Sequence, residues 1–207
     1  MAISLQEIQQ FYIDNLENRI FRYKLRGGQV IDLAFHKENL CHLLGIQHIF
    51  PKNKEFVGIR GYKKIQDGTL TIATMRKYNA TKYRQMRNRI EKFMEVAHLL
   101  VSGSIYKFYF MRQKESNIRA DFIIYWHNEE HGLYSNLFLA KECSFILADK
   151  DDRAYIAISY TVMKEKDDHD KYIRDKEYKE VEAFQIITRN KMSPSSVTEG
   201  GSYHNRR

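Results

Sequence analysis

The apolar residues of this chain change their spacing at Ser102-Gly103, and that change limits the folds open to it. Before it, Tyr83, Met86, Ile90, Phe93, Met94, Ala97 and Leu100 recur three and four apart, one stripe along a helix. Asn79 stands where an N-cap is wanted, so the stripe predicts one helix over 79–101. After the change come "IYKFYF" (105–110), "ADFIIYW" (120–126), "SNLFLAKE" (135–142) and "AYIAISYTVM" (154–163), rich in β-branched and aromatic residues. The connections "RQKESNIR", "HNEEHG" and "LADKDD" are short and polar. Parallel neighbours need a long crossover, so links this short predict an antiparallel meander. Helices first and strands afterwards predict an α+β fold, with N-terminal helices packed on a C-terminal antiparallel sheet.

The N-terminal half supports the same reading. Ser4 and Glu7 have capping-box spacing. Ile8, Phe11, Tyr12, Leu16, Ile20 and Tyr23 then carry a helix as far as Gly27-Gly28. "VIDLAF" (30–35) reads as a strand. In "FHKENLCHLLGI" (35–46), Leu40, Leu43 and Leu44 share one face of a short helix, and Gly45 suits the position just past its end. Ile59, Tyr62 and Ile65 predict another short helix in a stretch broken by Pro51, Gly58, Gly61 and Gly68. "EKDDHDKYIRDKEYKE" (165–180) is a solvated charge run, and "VEAFQIITR" (181–189) reads as a last strand. With no repeat and no strong linker, one domain is expected over 1–190, followed by a Ser/Gly-rich tail over 191–207.

Hydrophobic residues make up 43% of the chain, including 14 Tyr and 12 Phe, enough for a core. No apolar run approaches the roughly 20 residues of a membrane span. The N-terminus lacks the basic-then-apolar order of a signal peptide, so a cytoplasmic protein with no membrane contact is expected. Cys41 and Cys143 are isolated, which argues against a disulfide framework and a structural zinc site. The histidine sets 36/42/48 and 127/131 match no zinc signature, so no metal and no cofactor is expected. Gly-rich phosphate loops, GxGxxG, HExxH and GxSxG are missing, which argues against nucleotide kinases, dehydrogenases, zincins and typical α/β-hydrolases.

The formal net charge of +8 points to a polyanion, nucleic acid first, against the plain reading of many surface lysines. Metal-independent RNA cleavage needs only the residue types that remain. A base takes the 2′-OH proton, the oxygen attacks phosphorus, an acid protonates the leaving oxygen, and cations hold the developing charge.

The order Phe35, Lys37, Asn39, Leu40, His42, Leu43, Gly45, Ile46 resembles a pattern F-x-K-x-N-F-x-H-L-x-G-I. It is found near the start of phage-associated nuclease-like domains of the Barnase–EndoU–colicin–RelE group, the BECR fold. Leu40 replaces the usual aromatic residue. "ADFIIYW", "SNLFLA", "AYIAISYTVM" and "FQIITR" also look like that family's later segments, and the resemblance spans roughly residues 5–190. It implies helices followed by an antiparallel sheet, and a toxin-like or phage-borne RNase acting on RNA.

His42 is the first candidate for acid–base work, because it is the group inside the motif that titrates near neutral pH. It stands about 100° round the helix from Leu43, and its plain reading is a packing histidine at the helix edge. Lys37, near the start of that helix, would favour a phosphate there; otherwise it is an exposed lysine. Ser159 and Thr161 share one face of a strand and complete the catalytic candidates, against ordinary strand chemistry. Arg76, Lys82, Arg84, Arg87, Lys107 and Lys141 are the nucleic-acid-binding candidates, against solvated helix faces and sheet edges. The alternatives are a non-catalytic nucleic-acid-binding module and an anti-defence module that binds a host protein, and an antitoxin would be a further partner. Oligomeric state is left open.

Overall fold

The expected capping box forms. Glu7 N–H donates to Ser4 Oγ at 3.1 Å and Ser4 N–H donates to Glu7 Oε2 at 2.7 Å, which starts α1 (Leu5–Tyr12). A computed structural model of the chain describes residues 3–108, 118–142 and 153–188. Contrary to the periodicity, the helix does not reach Gly27-Gly28. It widens into a π turn, Ile13–Glu17, and the chain then enters β1 (Arg19–Leu25). The same residues also alternate: Phe21, Tyr23 and Leu25 are buried, while Arg22 and Lys24 lie between them. Pairing with β2 (Val30–Ala34) on one side and β8 (Val181–Thr188) on the other selects the strand.

Four further helices follow the short ones of the motif: α4 (Gly58–Gln66), α5 (Ile72–Tyr78), α6 (Ala80–Glu91) and α7 (Val96–Ser102). Asn79 caps α6 as expected, its side chain accepting from Lys82 N–H at 2.9 Å. The 79–101 stripe is divided, however, by a 3-10 turn at Phe93–Glu95. The break sets the Phe93 ring between Tyr12 and Tyr160, with centroids 6.2 and 5.7 Å away. The Tyr160 hydroxyl donates at 3.3 Å to the carbonyl of Lys92, next to the break. No helix among the described residues is long and apolar enough to cross a membrane.

The remaining strands are β3 (Ser104–Lys107), β4 (Phe122–Asn128), β5 (Leu133–Lys141), β6 (Ala154–Lys164) and β7 (Tyr178–Lys179). The sheet order is β7-β3-β4-β5-β6-β2-β1-β8. The meander β3 to β6 is antiparallel, as expected, although only the four-residue β4–β5 link is too short for a parallel crossover. But β2 runs parallel to β6, so the sheet is mixed, and it takes β1 and β2 from the N-terminal half. The wholly antiparallel, C-terminal sheet is thereby corrected. The helices and meander between β2 and β6 supply the long crossover that a parallel pair needs.

β7 and β8 lie at the two ends of the sheet order with Glu180 alone between them in sequence. The sheet therefore curls until its edges meet. Helix α7 fills the curl, packing on β4 while Tyr23 of β1 donates to Leu100 O at 2.7 Å. Tyr23, Leu33, Phe122, Leu137, Tyr155 and Tyr160 join the helices in the main core on this concave side. Residues between them in sequence, such as Arg22, Asp32 and Phe138, point to the convex side.

Gly45 closes the short helix of the motif at φ 74°, as the sequence suggests. A Cβ there would lie 2.7 Å from Met86 Sδ and 3.3 Å from Arg89 Cδ. Gly45→Ala should therefore cost about 1–3 kcal/mol through backbone strain and the contact with α6. Thermal melting should show a midpoint lower by about 3–10 °C; an unchanged midpoint would count against this tight approach.

Candidate active site

The motif segment leaves β2 at Phe35, whose buried ring meets Tyr12 and Phe21 edge-on. His36 Nε2 lies 3.1 Å from Glu142 Oε1. Lys37 opens a 3-10 turn, Lys37–Asn39, and its Nζ lies 3.4 Å from Glu17 Oε1. Tyr62 donates to the other oxygen of Glu17 at 3.0 Å. Glu17 thus supplies the negative charge beside Lys37. Asn39 Nδ2 donates to Ala157 O at 3.2 Å and ties the turn to β6.

Two one-turn helices follow, α2 (Leu40–Leu43) and α3 (Ile46–Ile49), with Gly45 between them. Leu40, Cys41, Leu43 and Leu44 are buried in the core shared with β6. His42 emerges between them and is exposed, as is His48 of α3.

Arg89 is the residue that sequence reasoning missed. It stands on α6 with 7% of its surface exposed. Its Nε donates to Leu43 O and its Nη2 to His42 O, both at 2.5 Å. The guanidinium thereby caps the last carbonyls of α2, of which that of His42 also accepts from Gly45 N–H at 3.0 Å. Burial lowers its pKa to about 10, so it stays charged at neutral pH. One signal was available: Arg89 is three residues after Met86 and four before Phe93, on the apolar side of the stripe.

Arg89 also contributes to the electrostatics around both histidines. Loss of hydration, then the charges of Arg89 and His48, lower the His42 pKa to about 4. His48 is lowered by loss of hydration, Arg89 and Lys82. His42, His48, Lys82 and Arg89 thus share one field, and His42 is neutral and able to accept a proton at pH 7. Acid should destabilise the protein through His42. Its folded pKa lies below the ordinary value of 6.5, so between those values the unfolded chain holds the extra proton. Urea midpoints should therefore fall as pH drops from about 6.5 towards 4, and His42→Gln should flatten that slope. An identical slope in the variant would show that His42 does not carry the effect.

The surrounding surface is cationic. From Gly68 to Ile90 the chain holds no Asp or Glu but carries Arg76, Lys77, Lys82, Arg84, Arg87 and Arg89. All except Arg89 are exposed, on α5 and α6. Arg76 lies over the Tyr83 ring at 4.9 Å, Lys82 Nζ donates to Gln85 Oε1 at 3.2 Å, and Arg87 pairs with Glu91 at 2.8 Å. Lys107 and Lys141 belong to the sheet instead, on β3 and at the end of β5, with Lys107 Nζ 4.4 Å from the Phe122 centroid.

The structure does not bring Ser159 and Thr161 to His42. They alternate with Tyr160, which packs on the helix side, so β6 itself stands between them and α2. Lys37 faces Glu17 and Tyr62 rather than α6.

The sequence as a whole has a counterpart among known families. The model of the phage-Barnase-EndoU-ColicinE5/D-RelE like nuclease 4 family matches residues 4–195. The chain belongs to this family. As a member of the nuclease 4 family it is a phage-associated, nuclease-like domain, and the match takes in the motif, α6 and the whole described sheet. No curated protein and no solved structure matches the chain.

Proposed function

We propose that this nuclease-like domain cleaves RNA without a metal ion, using the RNA's own 2′-hydroxyl, at the cluster of His42, His48, Lys82 and Arg89. The observation that carries the reading is the docking of the His42 segment on the cationic helix α6, where buried Arg89 donates to the His42 and Leu43 carbonyls and its charge helps to keep His42 neutral. His42 accepts the 2′-OH proton as O2′ bonds to phosphorus. The bond from phosphorus to O5′ breaks, and protonated His48 gives its proton to O5′. The products are a 2′,3′-cyclic phosphate and a 5′-hydroxyl. The charges of Arg89 and Lys82 help lower the His48 pKa, and a bound phosphate would offset them. Lys82 and Arg84 bring positive charge to the phosphate, and Arg89 positions His42 through the α2 carbonyls. Lys37 takes part only by exchanging Glu17 for a phosphate, and Ser159 and Thr161 stand outside this chemistry.

RNA affinity tests the binding half of the proposal. The logarithm of affinity for single-stranded RNA should fall linearly with the logarithm of salt concentration, by about 0.7 for each phosphate contacted. Lys82→Glu and Arg84→Glu should each weaken binding and reduce that slope by roughly one contact. Affinity that ignores salt, or no binding at all, would remove RNA as the partner.

A further inference from the structure

We propose that Tyr78 is a stacking platform for an unpaired nucleobase beside the histidine cluster, so that the RNA is engaged as a single strand; this rests on the RNA reading above. Tyr78 ends α5 with 55% of its surface exposed. Its ring lies 4.5 Å from the Phe50 ring, and Phe50 stacks on Phe56 at 4.2 Å. Phe50 is buried, so the column holds the tyrosine from one side and leaves more than half of it to solvent. An isolated exposed aromatic is ordinary on a protein surface. Tyr78 differs in its support and in its surroundings.

Lys77 precedes Tyr78, and Asn79, which caps the helix bearing Lys82, follows it. Phe50 comes two residues after His48. Exposed Lys52 and Lys54 share the connection between Phe50 and Phe56 with Glu55, and Lys64 Nζ lies 5.7 Å from the Phe56 centroid and 3.9 Å from Glu55 Oε2. The platform is therefore joined through the chain to both His48 and Lys82, with lysines on either side. Cations that track phosphates, with an aromatic face between them, are the elements by which proteins hold single strands. A duplex keeps its base faces stacked inside the helix, where this ring cannot reach them.

The test is fluorescence anisotropy at fixed salt with a labelled eight-nucleotide oligoadenylate and with a labelled RNA duplex. Tyr78→Ala should weaken single-strand binding roughly 5- to 100-fold, with little change in duplex binding or in the salt slope. Tyr78→Phe should bind as the wild type does. Tyr78→Leu, which keeps an apolar contact with Phe50, guards against a packing effect and should behave like the alanine variant. Wild-type single-strand affinity in the alanine and leucine variants, with the salt dependence intact, would overturn the platform and leave the RNA reading standing. Equal losses on single strand and duplex would also overturn it. A wild-type protein that binds neither RNA would overturn the RNA reading itself.

Discussion

Replacing Arg89 with methionine should lower the thermal midpoint by about 3–10 °C, the result of losing roughly 1–3 kcal/mol in a protein of this size. Methionine fills much of the same volume, so the loss comes mainly from the two bonds that the guanidinium makes to the carbonyls of His42 and Leu43. The Leu43 carbonyl would be left without a donor, at a cost of about 1–3 kcal/mol, while that of His42 keeps the Gly45 N–H at 3.0 Å. Relief of the buried charge acts in the other direction, since burial already lowers the Arg89 pKa. The bonds should win because the buried Leu43 carbonyl depends on the guanidinium for its donor. Arg89→Lys should recover only part of the loss, because one ammonium replaces a planar group that serves two carbonyls at once. RNA cleavage should fall by at least about 10²-fold in Arg89→Met, because α2 would no longer hold His42 in place. A midpoint equal to or above that of the wild type would show that the cost of burying the charge exceeds the value of its bonds.

The features legible in the sequence were those set by local chemistry. The Ser4/Glu7 capping box, the Asn79 cap, the Gly45 turn and the antiparallel meander each depend on residues close together in the chain. β1 was not legible as a strand, because Ile20 and Tyr23 fit a helical stripe while their segment's partners, β2 and β8, lie across a hairpin and at the far end of the fold. The parallel pairing of β2 with β6 is likewise a long-range choice that no local pattern encodes. In the site, the motif led to His42, but the grouping with His48, Lys82 and Arg89 required knowing that α6 lies against α2 and α3. Strand alternation correctly put Ser159 and Thr161 on one face; it could not say that the helices cover the other.

His42→Ala should reduce RNA cleavage by about 10²–10⁴-fold, the usual contribution of a positioned acid or base. The side chain is exposed and the backbone carbonyl that receives Arg89 is retained, so the midpoint at neutral pH should move by little more than about 1 °C. In the wild type the acid limb of kcat/KM should fall as pH drops through about 4, where His42 gains its proton, rather than through 6.5. A large fall in midpoint with His42→Ala would instead assign the residue to packing, with a lost buried bond worth about 1–3 kcal/mol.

The most direct test is the chemistry of the fragment ends. Labelled RNA is incubated in EDTA with wild-type protein and with His42→Ala, and the new termini are identified. The expected result is cleavage by the wild type that leaves 2′,3′-cyclic phosphate and 5′-hydroxyl ends, and almost none by the variant. The proposal is contradicted if the wild type cleaves no RNA, if cleavage stops in EDTA and returns with a divalent cation, if the fragments carry 3′-hydroxyl ends, or if His42→Ala cuts as fast as the wild type.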